Sequence, residues 1–338
     1  VNRTEGEVRL PSVAIGVPTY RRPEVLPRLL RELGEQADDL LGRTGRPAVA
    51  GSVRIVLADN DPDRSAETTV AELARSCAEG GPEVRYVSEP VPGIAAVRNR
   101  LLEDTADADV LLSIDDDERP RPGWARHLLE TWNRTGAAFV AGRVVPEYTG
   151  EVDPWLLAGR FFVRRQLPTG TTVPFAAGGN MLLDLAQVRA AGVRYRDDFG
   201  LSGGEDTVFT KELHAAGRSI VWCNESEAVD VVPAERQTRR WVLIRALSHG
   251  NSTVLSDTVL APSRRRRAVR AQAAVAGLVR LGGGAGRALG GFAGRAPVHQ
   301  ARGLRTACRG AGMLLGAAGW SYEEYGRDGR LARFRPGA

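Results

Sequence analysis

The sequence predicts an α/β domain, a mostly parallel sheet flanked by helices, followed by a helical C-terminal extension. Three observations carry this. Four short apolar runs, at 13–17, 53–60, 84–90 and 109–117, each lead into a segment with helical spacing of apolar residues. The runs are apolar throughout rather than alternating, as suits parallel strands covered by helices on both faces. The charge balance then breaks: residues 1–232 hold 27 Lys+Arg against 36 Asp+Glu, whereas residues 233–338 hold 19 against 5, and the strand pattern stops there. The organisation is therefore a domain over 1–232, with halves at about 12–120 and about 121–232, and a basic Ala/Gly/Arg-rich extension over 233–338. Lys211 is the single lysine, so GC-rich coding contributes to the arginine bias.

"VAIGV" (13–17) precedes "PTYRRPE" and a helix marked by Leu26, Leu29, Leu30 and Leu33. "VRIVLADN" (53–60) precedes a helix near 65–78, "VRYVSEP" (84–90) one near 93–104, and "DVLLSIDDD" (109–117) one near 122–133. A further run, "AAFVAGRVV", occupies 137–145. Residues 148–173 lose periodicity and read as a long ordered loop or lid. "FAAGGNMLL" (175–183) resumes apolar structure, a helix is expected from Glu205 to Ala216, and two short strands near 219–222 and 228–232. From 237 onward helices are expected, broken near Pro262, the "GGG" at 282–284 and Pro297.

Three widely spaced cysteines, at 77, 223 and 308, suggest neither a disulfide framework nor a zinc knuckle. The N-terminal stretch is charged where a signal peptide needs an apolar run, so a cytoplasmic protein is expected. Residues 271–294 are the longest apolar stretch, but Arg280, Arg287 and many glycines interrupt it, so it does not read as a membrane span. Arg280, Arg287, Arg295, Arg302 and Arg309 recur at steps of seven or eight, which on one helix makes a basic stripe, although Pro297 and many glycines argue against a single continuous helix and for a split stripe. Such a stripe suits an anionic membrane surface, giving peripheral contact at its inner face, or packing against the acidic domain.

In an open α/β sheet ligands bind beyond the carboxyl ends of the strands. The residues there are Pro18-Thr19-Tyr20, Asp59-Asn60-Asp61, Glu89-Pro90 and Asp115-Asp116-Asp117. Carboxylates crowded at the mouth of a buried strand repel one another unless a cation joins them. Mg²⁺ and Mn²⁺ prefer such oxygens and neutralise a diphosphate. In a locally extended chain Asp115 and Asp117 point the same way and address one ligand.

Five stretches in order, "VAIGVPTYRRPEVL" (13–26), "IVLADNDPDRS" (55–65), "VPGIAAVRNRLL" (91–102), "LLSIDDDERPRPGW" (111–124) and "GGEDTVFTKELHAAG" (203–217), resemble the family-two, GT-A-type nucleotide-sugar glycosyltransferases. The resemblance spans about 12–232 and implies a GT-A, Rossmann-like fold with a nucleotide-sugar half and an acceptor half. It implies that Pro18, Thr19 and Tyr20 line the nucleotide pocket, that Asp59 accepts a hydrogen bond from the base, and that Arg98 supports the nucleotide or its diphosphate. Asp115 would hold the ribose side, Asp117 the Mn²⁺ or Mg²⁺ ion with Asp116 nearby, and Asn180, after Gly179, would border the donor sugar. Asp206 would be the base of an inverting displacement, with Glu205 supporting it on the acceptor side. Other readings stand beside these: Asp59 as a turn or helix-cap residue, Arg98 as a helix-surface arginine, Pro18 and Tyr20 as loop packing.

Gln237, Arg240 and Trp241 form a Q-x-x-R-W that resembles a motif of processive members and marks an acceptor-side helix. The expected reaction moves a sugar from a nucleoside-diphosphate sugar, UDP-sugar favoured, to an acceptor hydroxyl. The acceptor belongs to natural-product or cell-envelope glycan biosynthesis, with a lipid-linked compound among the options. A nucleotidyltransferase is the alternative enzyme, but "PTYRRPE" has no glycine to cradle a triphosphate. A nucleic-acid-binding protein would use the basic tail yet leave the acidic strand ends unexplained, so no nucleic acid is expected.

Overall fold

The computed structural model describes residues 9–77, 81–323 and 331–334, without the side chains of residues 76 and 77. The elements of the first half are β1 (Ser12–Thr19), α1 (Leu26–Leu40), β2 (Ser52–Asp59), α2 (Glu67–Cys77), β3 (Glu83–Ser88), α3 (Ile94–Asp104) and β4 (Val110–Ile114). There follow β5 (Glu118–Pro120), α4 (Trp124–Thr135), β6 (Phe139–Tyr148), α5 (Pro154–Gly159), β7 (Asn180–Asp184), α6 (Leu185–Ala191), α7 (Glu205–Ala215) and β8 (Ile220–Val232). The extension holds α8 (Arg239–Leu260), α9 (Arg266–Ala293) and α10 (Pro297–Ala317), with a small hairpin of β9 (Trp320–Tyr322) and β10 (Leu331–Arg333).

The main sheet runs β3-β2-β1-β4-β7-β6-β8-β5. β1, β2, β3 and β4 are parallel, β7 is antiparallel to β4 and β6, β6 and β8 are parallel, and β5 returns antiparallel to β8. Seven consecutive residues of β1 are buried, as the unbroken apolar run requires of a central strand. One face of the sheet packs on α1 and α4 through Leu26, Leu33, Trp124 and Leu128. The other packs on α3, α6 and α7 through Val97, Leu101, Val188 and Phe209.

Three expectations change. The two short strands near 219–222 and 228–232 are one strand, β8, because the polar Asn224 and Glu225 occupy a register irregularity opposite Gly142 and Arg143 rather than a turn. The loop over 148–173 is not free: it carries α5, and its Trp155, Leu156 and Phe162 pack with Val232, Val242 and Ala301 into a third apolar cluster under the extension. The "GGG" does not break α9, because a side chain on Gly284 would meet the Ala307 backbone nitrogen at 2.4 Å. Close helix contact outweighs glycine's low propensity there. Pro262 and Pro297 do bound helices, Pro297 at the start of α10.

The arginine stripe is divided between two helices and a turn. Arg280 and Arg287 lie on α9, Arg295 in the turn with φ 49°, and Arg302 and Arg309 on α10. Arg302 Nε donates to Ala158 O at 3.2 Å, and Arg305 Nη1 donates to Arg160 O at 2.9 Å. Part of the basic surface is thus consumed in capping the carbonyl end of α5. Cys223 and Cys308 are free thiols, and the Cys77 side chain lies outside the described residues. No helix among the described residues is long and apolar enough to cross a membrane.

Candidate active site

β1 and β2 end in register at Thr19 and Asp59, and β4 ends beside them at Ile114. The chain then turns rather than continuing extended, with Glu118 N donating to Asp115 O at 3.0 Å. The three aspartates therefore diverge. Asp115 Oδ1 accepts from Arg98 Nη2 at 3.2 Å. Asp116 accepts from Thr19 Oγ1 at 2.9 Å and from Arg22 Nη1 at 2.8 Å. Asp117 Oδ2 accepts from Arg236 Nη1 at 3.0 Å and pairs with Arg22 at 3.2 Å. Asp115 and Asp117 do not share a direction by strand alternation; the turn sends them to different arginines, Arg98 and Arg236.

Arg98 joins the two halves of the domain. It is buried on α3, and its Nη1 donates to Glu205 Oε1 at 2.9 Å while Nη2 reaches Asp115. Its guanidinium also lies 5.7 Å from the ring centre of Tyr195. Burial opposes its charge, but Asp115 and Glu205 hold it protonated. Glu205 opens α7 after Gly204, whose φ of 94° sets the helix entry. Burial pushes the Glu205 carboxyl up to about 7 against the pull of Arg98, with Asp206 adding to the rise. A single guanidinium thus stands between the buried Glu205 and the partly exposed Asp115, and Glu205 keeps its proton towards neutral pH.

Asp206, next in the chain, is anchored at both oxygens: Oδ1 accepts from Thr207 N at 2.6 Å and Oδ2 from Gly178 N at 3.1 Å. Gly178 and Gly179 lie against this cluster. A Cβ on Gly178 would meet Arg98 Nη1 at 2.5 Å, and one on Gly179 would meet Asp115 Oδ2 and Glu118 Oε1, each at 2.9 Å.

Several participants were not singled out from sequence. Glu118, directly after the triple aspartate, is buried, and its Oε2 has no hydrogen-bond partner. Burial, then Asp115, Asp117 and Asp230, hold its carboxyl well above the ordinary range. Asp230, opposite Glu118 on β8, accepts from Arg164 Nη2 at 3.1 Å. Arg22 and Arg236 were present in "PTYRRPE" and just before the Q-x-x-R-W, but only tertiary contact shows their partners. Burial raises Asp115 despite Arg98, and brings Asp116 to about 6 despite Arg22.

Two expected donor contacts need correction. Asp59 is fully buried, and its oxygens accept from Asp61 N at 2.9 Å, Ala66 N at 3.0 Å and Tyr86 Oη at 3.0 Å. It builds the turn after β2, with three donors of the chain itself already on its two oxygens. Asn180 is also buried, its amide accepting from Trp124 Nε1 at 2.8 Å and donating to Arg143 O and Ser226 O, both at 3.0 Å. It ties β7 to its neighbours, and its amide is fully occupied in doing so. Pro18 is buried at the end of β1, while Tyr20 is exposed beside Arg21. Trp241 stacks on Phe162 at 5.9 Å and carries Arg236 over its ring, so it reaches the carboxylates through Arg236; Arg240 is exposed.

Arg98 thus brings the end of β4 and the start of α7 to one carboxylate cluster. The sequence profile of glycosyl transferase family 2 matches residues 14–188. The chain belongs to that family. It is 33% identical over 246 residues to the succinoglycan biosynthesis protein ExoM of Rhizobium meliloti (strain 1021), covering 71% of this chain and 73% of ExoM. The mannosyltransferase PcManGT of Pyrobaculum calidifontis, solved with GDP-Man and Mn²⁺, superposes with a TM-score of 0.57 at 16% identity over 92% of this chain and 87% of PcManGT. S. aureus TarS 1-349, solved with UDP-GlcNAc, gives 0.53 at 12% identity over 96% of this chain and 97% of that one. The fold is GT-A, and the chain is a glycosyltransferase. The nucleotidyltransferase and nucleic-acid-binding alternatives are set aside.

For this glycosyltransferase, Gly179→Ala is expected to lower kcat/KM about 10²-fold, since the added methyl must displace Asp115 or Glu118 and small misplacements are that costly. Steady-state kinetics beside a melting curve separate this from unfolding; unchanged kinetics would show that the two carboxyls need no such close packing.

Proposed function

We propose that this glycosyltransferase moves a sugar, with inversion, from a nucleoside-diphosphate sugar to an acceptor hydroxyl, with Asp206 as base and a divalent cation at Asp117. The observation that carries the reading is Arg98 bonded at once to Asp115 and Glu205, which sets the donor-side turn beside the residue preceding Asp206. The acceptor hydroxyl gives its proton to Asp206, its oxygen bonds to the anomeric carbon from the face opposite the diphosphate, and the bond to the diphosphate breaks. No covalent enzyme intermediate forms. Tyr20 and Thr19 border the nucleotide, Glu205 supports Asp206, and Arg240 and Trp241 lie on the acceptor side.

The residues fit a cation. Asp115, Asp116, Asp117, Glu118, Glu205, Asp206 and Asp230 face only Arg22, Arg98, Arg164 and Arg236, so acid is in excess. Among the described residues no three ligating side chains converge as a finished cage. Asp117, with Asp115 close by, would hold the ion, and diphosphate and water oxygens would complete its shell, as is usual for Mg²⁺. A bound ion would neutralise charge on the departing diphosphate. PcManGT's Mn²⁺ supports the choice of a divalent metal, and Arg22 and Arg236 would be released from Asp117 to the phosphates.

UDP-sugar remains the favoured donor, supported by TarS with UDP-GlcNAc, with a GDP-sugar the comparison suggested by PcManGT. ExoM's part in succinoglycan biosynthesis favours a glycan acceptor, such as a lipid-linked saccharide, over a natural-product scaffold. Thermal shift with UDP and with GDP, each with and without Mn²⁺, tests donor and metal together. Metal-dependent stabilisation of about 2–4 kcal/mol at saturating nucleotide, lost in Asp117→Ala, is expected. Equal stabilisation without metal, or in Asp117→Ala, removes the cation from Asp117.

A further inference from the structure

α9 packs on α10 through Gly277, Gly284, Ala288 and Gly291, which are buried along one side. Val275, Leu278, Val279 and Leu289 lie on the opposite side, within an arc of about 100° at the helical repeat. Together with Phe292 they are 54–69% exposed, a level seldom clustered on a helix that faces only water. Leu289 and Phe292 lead into the turn to α10, where Val298 is also exposed.

The charge around this strip has one sign. Between Asp257 and Glu323 the sequence holds eleven arginines and no acidic residue. Arg264, Arg265 and Arg267 are exposed at the start of α9 and Arg295 at the turn, whereas Arg280 and Arg287 lie towards α10, Arg287 Nε donating to His299 Nδ1 at 3.3 Å. Arg302 and Arg305, by contrast, are turned inward onto the α5 carbonyls. The membrane-facing candidate is therefore not the whole arginine stripe seen in the sequence but the outer face of α9, apolar along its length and cationic at its two ends, where only Arg295 belongs to the stripe.

We propose that the outer face of α9, with the α9–α10 turn, docks on an anionic lipid bilayer, the helix lying in the plane of the headgroups. An apolar strip with exposed arginines at both ends matches an interfacial helix, in which aliphatic groups enter the acyl boundary while guanidinium groups meet anionic headgroups. A second copy of the chain is a poorer occupant, because pairing α9 with α9 would bring two acid-free arginine sets together. This holds whatever donor the active site takes.

The test is co-sedimentation of the full chain with phosphatidylcholine vesicles, with and without roughly one third phosphatidylglycerol, at low and high salt. Binding is expected to be about tenfold stronger to the anionic vesicles, to weaken with salt, and to be lost in the double variant Val279→Glu/Leu289→Glu. Both side chains face solvent, so the variant should keep its melting temperature and its nucleotide-induced shift. Equal binding to neutral and anionic vesicles, or undiminished binding by the variant, overturns the proposal. So does light scattering that shows the parent as a dimer and the variant as a monomer.

Discussion

Asp206→Asn is expected to lower the transfer rate about 10²–10⁴-fold while leaving donor binding intact, the range a positioned base contributes. The carboxylate is fixed between Thr207 N and Gly178 N, at 2.6 and 3.1 Å, so it is oriented by backbone rather than by a mobile partner. An amide of the same shape keeps one of those acceptors and fills the same space, but it cannot take the acceptor's proton. Donor-side groups, Asp115 on Arg98 and Asp117 on Arg236, are untouched by the exchange. Nucleotide release with acceptor present measures the loss, and the nucleotide-induced thermal shift measures what is retained. Turnover within a few-fold of the parent would remove Asp206 as the base; loss of the thermal shift would make it a donor-side residue instead.

The sequence made the sheet and its working edge legible because both depend on local pattern. Apolar runs without alternation marked β1, β2 and β4, and the aspartates after β4 stood out because no core strand ends in three carboxylates without a use for them. What it hid was competition for each polar side chain. Asp59 looked available to a base, yet its partner Tyr86 arrives from the next strand and Ala66 from the following helix start. Asn180 sat beside two glycines that do border the site, but its amide was claimed by Trp124 and Ser226, far away in sequence. Conversely, Glu118 carried no pattern of its own, and its burial beside Asp115, Asp117 and Asp230 follows only from the pairing of β5 with β8. The glycines of α9 misled in the same way, since their reason is a neighbouring helix rather than their own.

Arg98→Met is expected to be the most damaging single change to stability, costing about 3–5 kcal/mol, because it strands the buried Glu205, and with it the partly exposed Asp115, without their counter-charge. Methionine keeps the aliphatic stem but not the guanidinium over Tyr195, so the loss joins the ion pairs to that ring contact. If so, Glu205→Gln in the Arg98→Met background should recover part of the stability, by removing one of the stranded groups. The pH dependence gives the sign independently. The folded-state value for Glu205, about 7, lies above its ordinary 4.5, so the folded protein holds this proton more tightly than the unfolded chain does. Its contribution is therefore fully present below about pH 4.5 and is lost as pH rises through 7. Between about pH 5 and pH 8 the melting temperature of the parent should fall more steeply than that of Glu205→Gln, and that of Arg98→Met more steeply still. Parallel curves for all three proteins would mean that Arg98 is not held between two competing acids, and the link between donor turn and catalytic helix would need another carrier.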